Sequence, residues 1–162
     1  MTDWIEGLVN RAREKEIEER KGKEWTLHAA QVIDSRLSDI VKNLVEEIEK
    51  QISIFNGAVL SDPTKVFKYD RIPSRGIAAH KDCCPSVHFT VELDRGARSF
   101  RFAIQTRLNL DSSPQDTNGY WRLALDNEEN VYLSSSGNRY SVDRAVQLFL
   151  EPLLNFALRL SH

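Results

Sequence analysis

Apolar positions along the chain change their period twice, and each change marks a different kind of element. From Glu24 to Phe55 the residues Trp25, Ala29, Ile33, Leu37, Ile40, Val41, Leu44, Ile48, Ile52 and Phe55 recur at steps of three and four. That spacing lines one face of an α-helix. Asn56 and Gly57 follow where a left-handed helix end is expected. Heptads begun at Ile33 or Leu37 run into Glu47 or Gln51, whereas eleven-residue steps through Ile33, Leu44 and Phe55 stay apolar. The stripe therefore predicts a nearly straight helix packed on a surface, not a long left-handed supercoil.

Upstream, Trp4, Ile5, Leu8, Val9 and Ala12 make a shorter stripe, after which Arg13 to Glu24 is almost wholly charged. Glu16 with Arg20 and Glu19 with Lys23 stand four apart in the favourable acid-first order. Residues 1–23 are predicted to form a charged arm, either a solvated helix or a mobile one, with Gly22 its weak point.

Past Asp62-Pro63 the period falls to two. Val66 to Ile72 predicts an edge strand ended by Pro73. Val87, Phe89, Val91 and Leu93 alternate with His88, Thr90 and Glu92, and the Asp94–Ala97 turn joins them to Phe100, Phe102, Ile104, Thr106 and Leu108 as a hairpin. A polar loop is expected over Asp111–Gly119, then strands at Trp121, Leu123 and Leu125 and at Val131 and Leu133. Ser141 caps a last helix with Asp143 in its first turn, and its buried stripe runs from Val142 to Leu160; Pro152 should kink or divide it.

The fold class is therefore α+β: a long N-terminal helix, an antiparallel meander of about five strands, and a C-terminal helix, the helices covering one face of the sheet. One domain over 1–162 is expected, divided as arm 1–23, helix 24–56, sheet 58–134 and helix 141–160. With 162 residues and 41% hydrophobic side chains, such a chain buries enough apolar surface to need no disulfide or structural metal. No cofactor is expected.

Charge narrows the partners. A formal net charge of -2 lacks the basic surplus a general nucleic-acid binder needs, so nucleic acid is disfavoured. No run of about twenty apolar residues is present to cross a bilayer. Nothing near Met1 resembles a signal peptide, and the adjacent Cys83 and Cys84 pair badly with each other, so a reducing cytoplasm is expected.

Two segments carry candidate chemistry. Strict alternation places His88, Thr90, Glu92, Arg101, Ala103, Gln105, Arg107, Tyr120, Arg122, Ala124 and Tyr132 on the sheet face away from the core. Among them His88, Glu92, Arg101, Arg107, Arg122 and Tyr132 are the candidate binding residues, because arginines beside small alanines offer a floor for an anion or a partner helix. The alternative is a wet surface with no ligand. The second segment gathers His80, Asp82, Cys83, Cys84 and His88, all of them ligand types for a borderline metal, but the spacing matches no known ligand pattern. Its bland alternative is a turn with the cysteines buried as small fillers. His28 has no acid or cysteine near it in sequence, and Ser134–Gly137 lacks the spacing of a phosphate loop.

The expected function is a non-enzymatic binding or protein-interaction module, dimeric or bound to a protein partner. A helix of about 32 residues, near 48 Å, is longer than a small sheet is wide. The competing expectation is a small metal- or thiol-dependent enzyme centred on His80, Cys83, Cys84 and His88.

Overall fold

A computed structural model describes residues 3–159 of the chain. Helix α1 runs unbroken from Asp3 to Ala58, straight through the charged segment and Gly22. The expected arm is thus the first part of one helix. Nothing lies within 4 Å of a Cβ built on Gly22, so this glycine makes no close approach and costs only its backbone freedom. The left-handed end expected at Gly57 is absent: the helix continues to Ala58, and among the described glycines only Gly137 has a positive φ. Asn56 serves instead as a side-chain clamp. Its amide donates to the Phe67 carbonyl at 2.9 Å and its oxygen accepts from the Phe67 N–H at 2.8 Å, fixing the chain that leaves the helix.

A short 3-10 turn at Pro63–Lys65 leads into an antiparallel meander with seven strands among the described residues, each paired with its neighbours in sequence. They are β1 (Lys68–Ile72), β2 (Gly76–Lys81), β3 (Ser86–Asp94), β4 (Ser99–Arg107), β5 (Gln115–Leu125), β6 (Val131–Ser135) and β7 (Asn138–Tyr140). β1 is the edge strand its proline-terminated pattern predicts, and β3–β4 is the predicted hairpin. Two strands, β2 and β7, were not expected. The loop expected over Asp111–Gly119 is shorter, because β5 begins at Gln115.

Gly119 lies in that strand for a packing reason. It pairs with Phe102, and a Cβ on it would stand 2.2 Å from the Phe102 ring. Gly76 opens β2 for a similar reason, since a Cβ there would stand 1.8 Å from the Val91 carbonyl oxygen.

Helix α2 (Val142–Ala157) is capped by Ser141, whose hydroxyl accepts from the Arg144 N–H at 3.3 Å. Pro152 does not divide it. The Leu160 end of the predicted stripe lies outside the described residues. Together α1 and α2 cover one face of the sheet. Phe149 of α2 is the centre of this contact, meeting Phe89, Phe102 and Trp121 edge-on at ring centroids of 5.2, 5.3 and 5.5 Å. Such aromatic pairs contribute about 0.5–1.5 kcal/mol each beyond the area they bury.

Only part of α1 joins this layer. Its buried residues run from Ile33 to Ile52, while residues 3–28 are exposed apart from the half-buried Gly7. Two hairpin turns tie the sheet to the helix at the changeover. Arg98, at φ 46°, donates to both oxygens of Asp34 at 2.8 and 2.7 Å. Glu129, at φ 61°, meets His28 through its carboxylate and accepts from Arg36 at its carbonyl, 2.5 Å away.

Candidate functional site

Alternation in β3 turns Val87, Phe89, Val91 and Leu93 inward and His88, Thr90 and Glu92 outward, so the uncovered face of the sheet is the one predicted. The strand register arranges that face in rows running across the strands. Ala78, Thr90, Ala103 and Asn118 are partners in turn across β2 to β5, and their small side chains floor a shallow trough. One wall is the row His80, His88, Gln105 and Asp116; the other is Glu92, Arg101 and Tyr120. The trough deepens into two depressions sharing Thr90, Ala103 and Asn118, one of about 790 Å³ beside Glu92 and Arg101, the other of about 460 Å³ beside the two histidines.

The arginines expected to form an anion floor are largely engaged. Arg101 bonds Asp94 at 2.7 Å. Arg107 donates to the carbonyls of Leu110 and Ser112 at 2.6 and 3.0 Å, and so holds the β4–β5 loop. Six positions from Arg101 on β4, it lies about 20 Å away at roughly 3.3 Å per residue. Arg122 lies over Tyr120, 5.7 Å from the ring centre, and lines a further depression of about 750 Å³ together with Arg101. Tyr132 stands on β6 opposite Ala124, its ring covered by Arg139 at 4.8 Å. The structure therefore brings Arg101 and Arg122 to one depression, sets Glu92 beside Arg101 in another, and holds Arg107 and Tyr132 apart from them.

The segment 80–88 is not a turn but a hairpin. His80 and His88 are direct cross-strand partners, with rings stacked at 5.6 Å between centroids. Asp82 bridges them through one oxygen, 3.1 Å from Nδ1 of His80 and 3.2 Å from Nε2 of His88. The first is a hydrogen bond and the second an ion-pair distance. Among the described residues, no group of three or more His, Cys, Asp or Glu is arranged to hold a metal ion, so the set His80, Cys83, Cys84 and His88 does not assemble as one. The cysteines are not buried fillers either: Cys83 is exposed and Cys84 half-buried, both as free thiols.

Lys81 takes the buried position instead. It turns inward from β2, 2% exposed, and donates to the carbonyls of Cys83 and Pro85 at 2.6 Å each, fastening the hairpin loop from beneath. Burial pushes its ammonium below the ordinary lysine range, against the opposing pull of the two neighbouring thiols. Sequence reasoning passed over it, because a lysine on the inward register of a short strand looks like a loop residue. The His28–Glu129 contact was equally out of reach, since its partners stand 101 positions apart. At the same junction Arg98 holds Asp34 below the usual carboxylate range by hydrogen bonding it.

The other conspicuous surface is the projecting part of α1. Residues 3–28 extend about 40 Å at roughly 1.5 Å per residue. Trp4 and Leu27 are 64% and 66% exposed, and Ile5, Leu8, Val9, Ile17 and Trp25 are exposed as well. Among the described residues, no helix is long and apolar enough to cross a membrane.

Fold and surfaces define an α+β protein with a helix-backed antiparallel sheet, one open sheet face and one projecting helix. No family model, curated protein or solved structure matches the chain.

Proposed function

We propose that this protein is a non-enzymatic interaction module that works as a homodimer in a reducing cytoplasm, pairing through the projecting part of α1. The open sheet face, around Glu92, Arg101 and Arg122, is then the surface left to meet a further protein. The observation that carries the reading is the exposure of Trp4, Ile5, Leu8, Val9 and Leu27 on the projecting part of α1. An isolated helix beyond its packed body is marginal in water, because tertiary contact rather than propensity supplies most helix stability. Large apolar side chains clustered on one exposed element mark a contact surface more often than a solvated one. The full-length protein at high micromolar concentration is expected to sediment as a dimer, and its Leu8→Glu variant as a monomer. A wild-type protein that is strictly monomeric there would overturn the proposal.

A second reading, a small metal- or thiol-dependent enzyme centred on His80, Cys83, Cys84 and His88, is favoured by one observation, the convergence of both imidazoles on Asp82. Elemental analysis of the purified protein decides its metal form: zinc or iron at one equivalent per chain supports it, and substoichiometric metal leaves only the thiol-dependent form, which loss of activity in Cys83→Ser and Cys84→Ser variants would test.

A further inference from the structure

The exposed part of α1 is not uniformly apolar. It is built in three blocks. At about 100° per residue, Trp4, Ile5, Leu8, Val9 and Ala12 all point within about 80° of Leu37, the direction that faces the sheet further along. The same angular window holds Arg11, then Lys15, Glu16, Glu19 and Lys23, and then Gly22, Thr26 and Leu27, with the half-buried Ala29 and Ala30 where the helix meets the body. Large side chains, a charged centre and small side chains thus follow one another on a single face. Leu27 stands at the edge of the small block as Val9 stands at the edge of the large one, each about 80° from Leu37.

We infer that the occupant of this face is the same face of a second copy, laid antiparallel about a two-fold axis near Ile17. The inference rests on the dimer proposed above and specifies its geometry. An antiparallel pairing sets Leu8 opposite Thr26 of the second copy, Ala12 opposite Gly22, and Leu27 between Ile5 and Val9. Large meets small, as ridges need grooves. It also sets Lys15 opposite Glu19, and by symmetry Glu19 opposite Lys15, so the charges at the centre of the face find opposite partners, while Lys23 meets Arg11 towards its margin. A parallel pairing would do the reverse. Glu19 points along the middle of the face, so two in-register helices would bring it against its own copy, with Lys15 against Lys15 one turn away and the small blocks facing across a gap. Like charges and an unfilled gap both oppose association.

The body of the molecule agrees with this arrangement. Because the exposed face continues the stripe that Ile33 to Ile52 bury against the sheet, a helix lying on it occupies the same layer as the sheet, beside its edge. The β5–β6 turn, which meets α1 at His28 and Arg36, marks where that space ends. The contact is isologous and closes on itself, so it stops at two copies.

Cysteine linking in the full-length protein tests the geometry, with Cys83→Ser and Cys84→Ser removing the native thiols. Leu8→Cys and Thr26→Cys lie about 27 Å apart on one helix, too far to join within a chain. Under mild oxidation the protein carrying both is expected to convert almost completely to a covalent dimer, and each single variant to remain unlinked. Ready linking of Leu8→Cys alone, or no linking of the pair, overturns the antiparallel geometry. Sedimentation of the reduced variants separates this from the parent reading: a dimer that links wrongly leaves dimerisation standing, and a monomer removes both. Because loss of Leu8 itself weakens the contact, the pair Ala12→Cys with Gly22→Cys provides the same test with that leucine kept. A monomeric wild-type chain that instead co-floats with anionic lipid vesicles would also overturn the inference, assigning the face to a membrane surface.

Discussion

The two parts of helix α1 carry the same kind of stripe and meet opposite surroundings. Between Ile33 and Ile52, apolar residues at helical spacing are buried under the sheet and α2, with Leu44, Ile48 and Ile52 fully covered. Between Trp4 and Ala12 an equivalent stripe, in line with the first, stands in water. Periodicity alone makes both halves helical; it does not say what covers them. What separates them is a charged block at the centre of the exposed half and a row of small residues after it. Those two features are what the proposed antiparallel pairing uses.

The largest expected effect separates the halves most sharply. Leu44→Ala removes a fully buried side chain from the core and should destabilise the fold by about 3 kcal/mol, read by urea unfolding. Leu8→Ala, compared under dilute conditions where the chain is monomeric, should change unfolding by less than about 0.5 kcal/mol. Equal effects would mean that the exposed half is packed on its own body.

Asn56→Ala tests whether the covered half is anchored at its end. Both bonds to the Phe67 backbone disappear, leaving a half-buried N–H and carbonyl without their partner, at a cost of about 1–2 kcal/mol in the same measurement. Smallest is Gly22→Ala. With nothing within 4 Å of the added Cβ, the substitution should firm the exposed helix by about 0.5–1 kcal/mol, visible as a gain in helical circular dichroism and not in the urea midpoint of the dilute monomer.

Much of this architecture was legible because strong local patterns survived into the fold. The alternation of β3 and β4, the Ser141 cap and the stripe of α1 each follow from rules that act within a few residues. The failures share a cause. β2 reads weakly because Ala78 and Ala79 are small and Lys81 occupies an inward position, so no large apolar alternation announces it. β7 is three residues long and polar or half-buried throughout. Asn118-Gly119 looks like a turn pair, but the glycine is present because the Phe102 ring lies against it, a contact between separate strands.

The candidate site was legible in its facing and not in its bonding. Which residues point outward follows from the pleat, and His88, Glu92, Arg101 and Arg122 do so together. That Arg107 is held by the carbonyls of Leu110 and Ser112, or that Asp82 joins two histidines, depends on how a loop closes, which composition does not encode. Pro152 shows the same limit from the other side. The helix runs through it from Val142 to Ala157, and Leu148, whose carbonyl loses its donor to the proline, is an exposed residue.

Hydrogen–deuterium exchange of residues 3–28 at two protein concentrations tests the central claim most directly. If these residues are the pairing surface, their amides exchange within seconds in dilute solution and become strongly protected at high micromolar concentration, while protection of residues 33–52 stays constant. Equal exchange of residues 3–28 at both concentrations would contradict it.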